Sequence, residues 1–444
     1  MKERVYNFLL YFSILILLMI IFNLLLYLTC SFDSKLLKDN IDESYDTLNE
    51  QGMFYKLSHT FNIFNNNCTD AVIINESYSI DKNHPFFSYM KARKNYNPNI
   101  TEFELDETNG EGVSVNYDES LGIEMVDYNY DPVTELGNFI AGKLHYSINY
   151  GRYWHGYLIL FRPLLLLFNI TQIRYLLLLS FSILGTFFIY LIYKMFGKNV
   201  AIIFAMSLIC SGYFSASYSL ESSPVFLTMI IGSIFLLKRI NKIKKFGIYI
   251  FVLGCITNYV DYLTVPLITL GIPCFIYLLK LVNEKKDWKY CIKFVIINFF
   301  IWFLGYGGTW ISKWIIYDLF VGGNISMIQI GVTQSFYRMQ RLNTNVTSEG
   351  CIPTIINIIS NSSMYVLATI MILLFINKSN EYVTRFKKTI FSFLTLAFLT
   401  IVWYAILANH TIMHYYFTYR QSLVFMIGVL LSINISFFSN NDFK

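Results

Sequence analysis

Residues 6–30 of this 444-residue chain read YNFLLYFSILILLMIIFNLLLYLTC, an almost unbroken apolar run. A helix that crosses the hydrocarbon core of a bilayer needs about 20 such residues, because backbone polar groups inside lipid must bond to one another. Lys2 and Arg4 precede the run, and no cleavage site of small residues follows it. Residues 1–30 are therefore expected to form an uncleaved membrane anchor rather than a signal peptide.

The composition of the whole chain indicates a multi-pass membrane protein. Hydrophobic residues make up 55% of the chain and charged residues 14%, whereas soluble proteins carry about a quarter charged residues. These proportions exclude a soluble globular protein, a disordered chain and a disulfide-rich secreted scaffold. The formal net charge of +5 gives no ground for a nucleic-acid partner, because acidic and basic residues are strongly segregated along the chain.

We predict an all-α polytopic membrane protein with about ten transmembrane helices and a large extracytoplasmic first loop. Residues 157–170, which contain Arg162-Pro163, are too short to cross a bilayer and are predicted to form a re-entrant or interfacial helix. The chain thus divides into the anchor 1–30, a loop or subdomain 31–156, a bundle 157–438 and a tail 439–444. The nine predicted spans after the anchor are about 174–196, 199–213, 222–237, 246–260, 263–281, 291–312, 355–376, 389–408 and 421–438.

The distribution of charge predicts which side of the bundle faces the cytoplasm. Cytoplasmic loops of membrane proteins carry an excess of Lys and Arg. With both termini inside, the cytoplasmic segments hold 19 of the 34 basic residues. Residues 31–155 instead contain 20 of the 29 acidic residues against nine basic ones. We therefore expect a cell-membrane protein with cytoplasmic termini and an extracytoplasmic first loop.

The outer loop contains the first candidate carboxylate. Residues 61–75 have the pattern of a polar turn that leads into a buried helix, and Asp70 lies at the predicted helix start. A capping role and a catalytic role are both open for it. Residues 91–135 are expected to be flexible or to form a mobile flap. Cys68 and Cys351 are both expected outside, but their spacing alone does not establish a disulfide.

Two motifs near the first loop add candidate ligands on the predicted outer side, where all six histidines lie. In YGRYWHG (residues 150–156), the guanidinium of Arg152 suits phosphate and the ring faces of Trp154 suit a sugar. His155 follows directly, and Arg162 comes shortly after. The alternative is an interfacial belt of aromatic residues with a snorkelling arginine.

Two further candidates follow later in the chain. The segment NYVDYLTVP (258–266) joins two predicted spans and contains Asp261. A catalytic role and a turn-capping role are both open for this residue. In GYGGTWISKW (305–314), small residues allow close helix packing and Lys313 is expected at the outer surface. Charged groups near membrane spans are costly and are therefore functional candidates.

The last motif, NHTIMHYYFTYR (409–420), places His410 and His414 four residues apart and hence on one helical face. The zinc-protease pattern is absent, so a metal is not indicated, although a divalent cation stays open. We expect the two histidines and Arg420 to contact an anionic substrate. A plain interfacial polar turn is the alternative.

These motifs together resemble those of an uncharacterised bacterial family of multi-pass membrane proteins, over most of the chain. The residues that carry the resemblance are RYWHG (152–156), FRPL (161–164), NCTD (67–70), YVDYLT (259–264) and NHTIMHYYFTYR (409–420). The architecture is also similar to the GT-C superfamily of polyprenyl-phosphate-sugar glycosyltransferases. In that superfamily an outer carboxylate acts as base or positions the acceptor, and basic residues hold the lipid phosphate. This chain departs from the pattern because residues 31–34 (SFDS) lack a paired acid and no WWDYG-type motif occurs.

The resemblance implies an outward-facing glycosyltransferase that moves a sugar from a polyprenyl-phosphate carrier to a glycan, lipid or protein of the cell envelope. Asp70 or Asp261 would activate the acceptor hydroxyl, and no cofactor is expected. The phosphate and the sugar would be held by Arg152, Trp154, His155, Arg162, Lys313, His410, His414 and Arg420. Two alternatives are a carrier or flippase for a lipid-linked glycan and a non-catalytic component of envelope assembly.

Overall fold

The computed structural model of the chain describes residues 2–58, 63–92, 104–106, 131–143, 147–323, 326–339, 351–376 and 388–437. These residues are predominantly α-helical, and they contain four short strands. The predicted α-helical class is therefore confirmed.

The amino-terminal part holds six helices among its described residues: α1 (Lys2–Cys30), α2 (Lys38–Gln51), α3 (Asn67–Tyr78), α4 (Pro85–Lys91), α5 (Pro132–Ile140) and α6 (Leu158–Leu165). The remaining described helices are α7 (Ile170–Phe196), α8 (Lys198–Cys210), α9 (Tyr213–Ala216), α10 (Ser223–Arg239), α11 (Phe246–Val260), α12 (Ile268–Asn283), α13 (Trp288–Phe320), α14 (Met327–Met339), α15 (Cys351–Ile376), α16 (Ile390–Ile406), α17 (Ala408–Met413), α18 (Tyr415–Thr418) and α19 (Ser422–Phe437).

Five stretches of the described residues are long and apolar enough to cross a membrane: Phe8–Cys30, Ile170–Phe196, Trp288–Phe320, Ile352–Leu373 and Tyr415–Ile435. The shorter apolar helices are Lys198–Cys210, Phe246–Val260, Ile268–Asn283 and Ile390–Ile406. Each apolar segment predicted from the sequence is thus mainly helical. One boundary shift has a clear cause. Helix α12 begins at Ile268 rather than at 263, because Asp261 caps the preceding loop by accepting from Thr264 N at 2.8 Å.

The smaller predictions for the first loop have mixed outcomes. The segment 157–170 contains the short helix α6, with Pro163 inside it, and Asp70 lies in the first turn of α3. Strands β1 (Phe54–Ser58) and β2 (Ile63–Asn66) form an antiparallel hairpin before α3, while β3 (Glu104–Asp106) pairs in parallel with β4 (Ser147–Asn149). The flap predicted for 91–135 falls largely outside the described residues. So do the tail 439–444 and the side chain of Cys351, and the Cys68–Cys351 disulfide therefore stays a prediction.

Close helix packing holds the bundle together where glycines face a neighbouring backbone. A Cβ added at Gly305 of α13 would overlap the Phe251 carbonyl of α11, and one added at Gly254 of α11 would overlap the Trp302 carbonyl of α13. The packing role expected for the glycines of 305–314 therefore holds for Gly305. Only a residue without a side chain allows helices to approach so closely.

Short connections between successive helices gather several loops at one end of the bundle, where the described residues of 31–156 also pack. The Leu220 amide donates to Asp70 at 2.9 Å across this end. A ring nitrogen of His410 lies 2.8 Å from the Leu263 carbonyl. We call this end, with residues 217–222, 261–267 and 407–421, the loop end.

Candidate functional site

Two small cavities lie at the loop end, on either side of residues 408–418. The first, which we call the histidine cavity, has an open volume of about 220 Å³ and is lined by Gln334, Tyr337, Arg338, Asn409, His410, Met413 and His414. The second, the glutamate cavity, has an open volume of about 260 Å³ and is lined by Phe54, Asn66, Ser219, Glu221, Ser222, Tyr416, Phe417 and Arg420.

A broken helical connection positions the side chains that divide the two cavities. Helix α16 ends at Ile406, and two short helices and a 3₁₀ turn (Tyr419–Gln421) precede α19. Within this connection Tyr404 OH donates to the Thr418 carbonyl at 2.8 Å, and Thr411 Oγ1 donates to the Tyr404 carbonyl at 3.1 Å. Because side chains satisfy these backbone groups, the connection presents polar residues in a fixed arrangement.

Cationic and hydrogen-bonding groups converge on the histidine cavity. The rings of His410 and His414 lie 4.7 Å apart between centroids. Arg338 is only 5% exposed, and its Nη2 donates to Tyr153 OH, while its Nη1 has no hydrogen-bond partner among the described residues. Asn409 Oδ1 is likewise buried without such a partner. The open N–H of Arg338 suits an anionic oxygen, whereas the open Asn409 oxygen suits a hydroxyl or another hydrogen-bond donor.

The glutamate cavity holds a carboxyl group beside a guanidinium. Glu221 is 3% exposed and its Oε2 accepts from Asn66 Nδ2 at 2.9 Å. Its Oε1 has no partner within hydrogen-bond geometry in the described part of the chain, and neither has Nε of Arg420. Arg420 also contacts Ser215 Oγ through Nη2, at 3.5 Å. Both members of the pair therefore keep open hydrogen-bonding capacity.

Burial raises the pKa of Glu221 to about 7. The Thr69 side chain opposes this rise most strongly, by hydrogen bonding to the charged form. The neighbouring Asp70 carboxylate adds to the rise, and Arg420 and His414 oppose it. A carboxyl with this pKa exchanges its proton near neutral pH. That property is the requirement for a general acid or base.

Asp261 lies behind the histidine cavity and orders a loop. Its Oδ1 accepts from the amide and the hydroxyl of Thr264, both at 2.8 Å, and its Oδ2 accepts from Tyr306 OH at 3.2 Å. Burial raises the pKa of Asp261 to about 6. The loop places Leu263 in the left-handed region (φ 61°), and the Leu263 carbonyl meets His410. Asp261 is thus connected to the cavity through the loop it caps.

Asp70 forms a closed ion pair beneath the glutamate cavity. Its Oδ2 lies 2.7 Å from Nη2 of Arg174, its Oδ1 accepts from the Leu220 amide, and both charged side chains are fully buried. Nη2 of Arg174 also donates to Asn67 Oδ1 at 2.7 Å, and Nη1 donates to Gln51 Oε1 at 3.0 Å. Neither charged residue lines the histidine cavity or the glutamate cavity. The pair joins α2, α3 and α7.

Three other predicted ligands make contacts inside the fold. Arg162 donates to the carbonyls of Thr29, Phe32 and Ser77 and to Ser34 Oγ, and so closes the end of α1 against α3. Lys313 is fully buried, and its Nζ lies 3.2 Å from the Tyr89 carbonyl. The indole N–H of Trp154 donates to the Thr309 carbonyl at 2.7 Å. These three residues do not line either cavity.

The YGRYWHG motif supports the histidine cavity from behind. The guanidinium of Arg152 lies 5.1 Å from the ring centroid of Tyr153, whose hydroxyl accepts from Arg338. His155 belongs to a buried network: its Nδ1 lies 3.3 Å from Glu76 Oε2 and 2.5 Å from Tyr157 OH. His155 adopts a left-handed backbone (φ 55°), which is strained for a residue with a side chain.

The structure thus places His410 and His414 in the histidine cavity and Arg420 in the neighbouring glutamate cavity. Asp261 is connected to His410 through the loop that it caps, and Arg152 contacts Tyr153, which accepts from Arg338. Sequence reasoning assigned no role to Arg174, Arg338, Glu76 or Glu221. Of the six histidines, His59 and His145 lie outside the described residues. In the described part of the chain, no group of three His, Cys, Asp or Glu side chains could hold a metal ion.

Comparisons of the chain with protein-family models, with curated proteins and with solved structures return no match.

Proposed function

We propose that the chain is a membrane glycosyltransferase with about ten spans and a GT-C-like architecture, and that its loop end faces the extracytoplasmic side. It would transfer a sugar from a polyprenyl-phosphate carrier to a glycan, lipid or protein acceptor of the cell envelope. The apolar helices support a place in a bilayer. The concentration of Lys and Arg in the connections opposite the loop end supports this orientation.

One observation carries the proposal: Glu221 and Arg420 line the same small cavity, and each has an open hydrogen-bonding position. Transfer of a sugar requires that an acceptor hydroxyl lose its proton while it attacks the anomeric carbon. It also requires that the phosphate leave with the electron pair of the broken carbon–oxygen bond. A carboxylate beside a guanidinium provides for both changes, because the first accepts the proton and the second stabilises the phosphate charge.

Glu221 therefore takes the role of base that the sequence had assigned to Asp70 or Asp261. Both oxygens of Asp70 are occupied by Arg174 and the Leu220 amide, and both oxygens of Asp261 by Thr264 and Tyr306. We assign these two carboxylates to positioning: Asp70 fixes the segment that carries Glu221, and Asp261 fixes the loop that contacts His410. His410, His414 and Arg420 remain the proposed phosphate and sugar ligands.

The test is release of polyprenyl phosphate by the full-length protein in phospholipid vesicles. The vesicles contain, one at a time, polyprenyl-phosphate hexoses and pentoses, together with envelope acceptors. We expect turnover with at least one donor, and a loss of about 10²- to 10⁴-fold in Glu221→Gln, the usual contribution of a general base. Glu284→Gln is the matched control, because Glu284 is an exposed acid at the opposite end of the bundle.

Full turnover by Glu221→Gln would contradict the assignment of the base. A donor lipid that binds but is never cleaved, with any of the sugars, would overturn the enzyme proposal and favour the carrier or the assembly component.

A further inference from the structure

Helix α14 has two faces of opposite character. Ile328, Val332, Phe336 and Met339 are all exposed, from 41% for Ile328 to 63% for Phe336. Their spacing of four, four and three residues places them in one stripe along the helix. The opposite face is buried and holds Met327, Ile330 and Gly331 together with the polar side chains of Gln334 and Arg338. A 13-residue helix is about 20 Å long, which is too short to cross a bilayer.

The contacts of α14 fix its position beside the end of a candidate membrane span. Asp318, in the last turn of α13, accepts from the amides of Met327 and Ile328 at 2.6 and 3.2 Å and so caps the start of α14. Gly331 packs so closely on the Trp314 ring that a Cβ there would overlap it. The carboxy-terminal part of α14 meets α17, where Asn409 Nδ2 donates to the Tyr337 carbonyl at 3.1 Å.

The exposed stripe of α14 belongs with the lipid-facing surface of the bundle. Helix α13 beside it exposes Ile311, Ile315 and Leu319, which also recur every four residues. A helix with one apolar exposed face at the end of a span lies in the membrane interface, with that face against acyl chains. The exposed apolar side chains form a single row, and the width of this row suits one hydrocarbon chain of a lipid.

The buried face of α14 forms a wall of the histidine cavity. Arg338 is 95% buried, extends from this face into the cavity, and leaves Nη1 without a hydrogen-bond partner in the described residues. A buried guanidinium with an open N–H is costly unless a ligand satisfies it, and phosphate oxygens match its geometry. Helix α14 therefore separates an apolar stripe in contact with lipid from a cationic cavity.

We propose that α14 is the docking helix for a prenyl phosphate, with the prenyl chain along Val332 and Phe336 and the phosphate on Arg338 in the histidine cavity. The identification of the ligand rests on the proposed function. The contact of the phosphate with Arg338 is a claim about binding of the lipid alone, whereas the contact with Arg420 across residues 408–418 is proposed for the transfer step. Arg338 and Phe336 become specificity residues that no sequence motif indicated.

The experiment measures equilibrium binding of farnesyl phosphate to the full-length protein in phosphatidylcholine nanodiscs. Farnesol and inorganic phosphate are measured in parallel. We expect farnesyl phosphate to bind more tightly than either fragment. Arg338→Gln should weaken its binding at least tenfold by loss of charge-assisted hydrogen bonds. Phe336→Ser should weaken it by about tenfold through lost apolar contact.

Phe398→Ser is the matched control, because Phe398 on α16 is 58% exposed and takes no part in the proposed contact. The Phe398→Ser variant should therefore bind farnesyl phosphate like wild type. Thermal unfolding shows whether each variant is folded. If Arg338→Gln does not fold, Phe336→Ser still tests the inference.

Three results would overturn the inference: equal binding by wild type and both α14 variants, equal binding of farnesol, or inorganic phosphate binding as tight as that of farnesyl phosphate. Binding and turnover are measured in separate assays, so this inference and the proposed function can fail independently. Lipid binding that depends on Arg338, without turnover of any donor, would support the docking helix and contradict the glycosyltransferase.

Discussion

The Asp70–Arg174 pair and the Glu221–Arg420 pair are two combinations of the same chemical groups at the same end of the bundle. They are adjacent, since the Leu220 amide bonds Asp70 and the next residue is Glu221. Asp70 has both oxygens occupied and lies 2.7 Å from its arginine. Glu221 keeps one oxygen open and lines a cavity together with its arginine. Arg174 and Arg420 each leave Nε without a partner among the described residues, so the pairs differ in their carboxylates and in access to a cavity.

The difference shows why burial and charge alone do not identify a reactive carboxylate. All four side chains are at least 95% buried, yet only one pair reaches a cavity. A carboxylate saturated by fixed partners has no capacity left for a substrate proton. One with an open oxygen and a pKa of about 7 has that capacity.

The strongest test of this comparison breaks the closed pair. Arg174→Met leaves the Asp70 carboxylate buried without its partner, and removal of one member of a buried ion pair costs about 3–5 kcal/mol. We expect a large drop in thermal stability, measured by unfolding in detergent, and partial recovery in the double variant with Asp70→Asn. Arg420→Met should cost less. Equal stability of the two single variants would remove the distinction between the pairs.

A second test neutralises each carboxyl and compares the sign of the effect on stability. The pKa of Glu221 is raised from 4.5 to about 7. The stabilisation of the folded state by this proton is therefore complete below pH 4.5 and is lost as the pH rises through 7. Glu221→Gln should therefore be more stable than wild type at pH 8, by up to about 3 kcal/mol, and equal to it at pH 4. Burial raises the pKa of Asp70 as well, but Asp70→Asn leaves the buried Arg174 guanidinium without its carboxylate partner. Because loss of one member of a buried ion pair is strongly destabilising, Asp70→Asn should be less stable than wild type at pH 8. Thermal unfolding across this pH range measures both, and the same sign for both variants would be inconsistent with the account.

A third test sharpens the role proposed for Arg420. Arg420→Gln should lower turnover by ten- to a hundredfold, the size of a hydrogen bond to a charged group, with little change in unfolding temperature. Arg420→Lys should recover only part of the rate, since an ammonium group keeps the charge but not the planar fork. Initial rates of polyprenyl-phosphate release measure both variants. If Arg420→Gln kept the wild-type rate, the role of Arg420 in stabilising the phosphate charge would be contradicted.

The helices could be predicted because long apolar segments determine them. Residues 246–260, predicted as a span, form a helix with those same limits. The end of α13 was harder, because Lys313 suggested an outer surface there, whereas the helix continues to Phe320 and buries the lysine against the Tyr89 carbonyl. A hydropathy pattern cannot predict that a charged side chain is buried when its hydrogen-bond partner is a backbone group far away in the sequence.

The site was less predictable, because its pairings join residues that are distant along the chain. Asp70 lies 104 positions before Arg174, and Tyr153 lies 185 positions before Arg338. No local pattern indicates which acid meets which arginine. Arg338 could have been found from α14 alone, since its place opposite an apolar stripe marks it as facing inward.

The most direct measurement of the central claim is the turnover of Glu221→Gln beside that of Asp70→Asn, each divided by the amount of folded protein in the vesicles. The account predicts that Glu221→Gln is well folded and nearly inactive, whereas Asp70→Asn is less stable but active in every molecule that folds. The reverse result, with activity lost in folded Asp70→Asn and kept in Glu221→Gln, would contradict it.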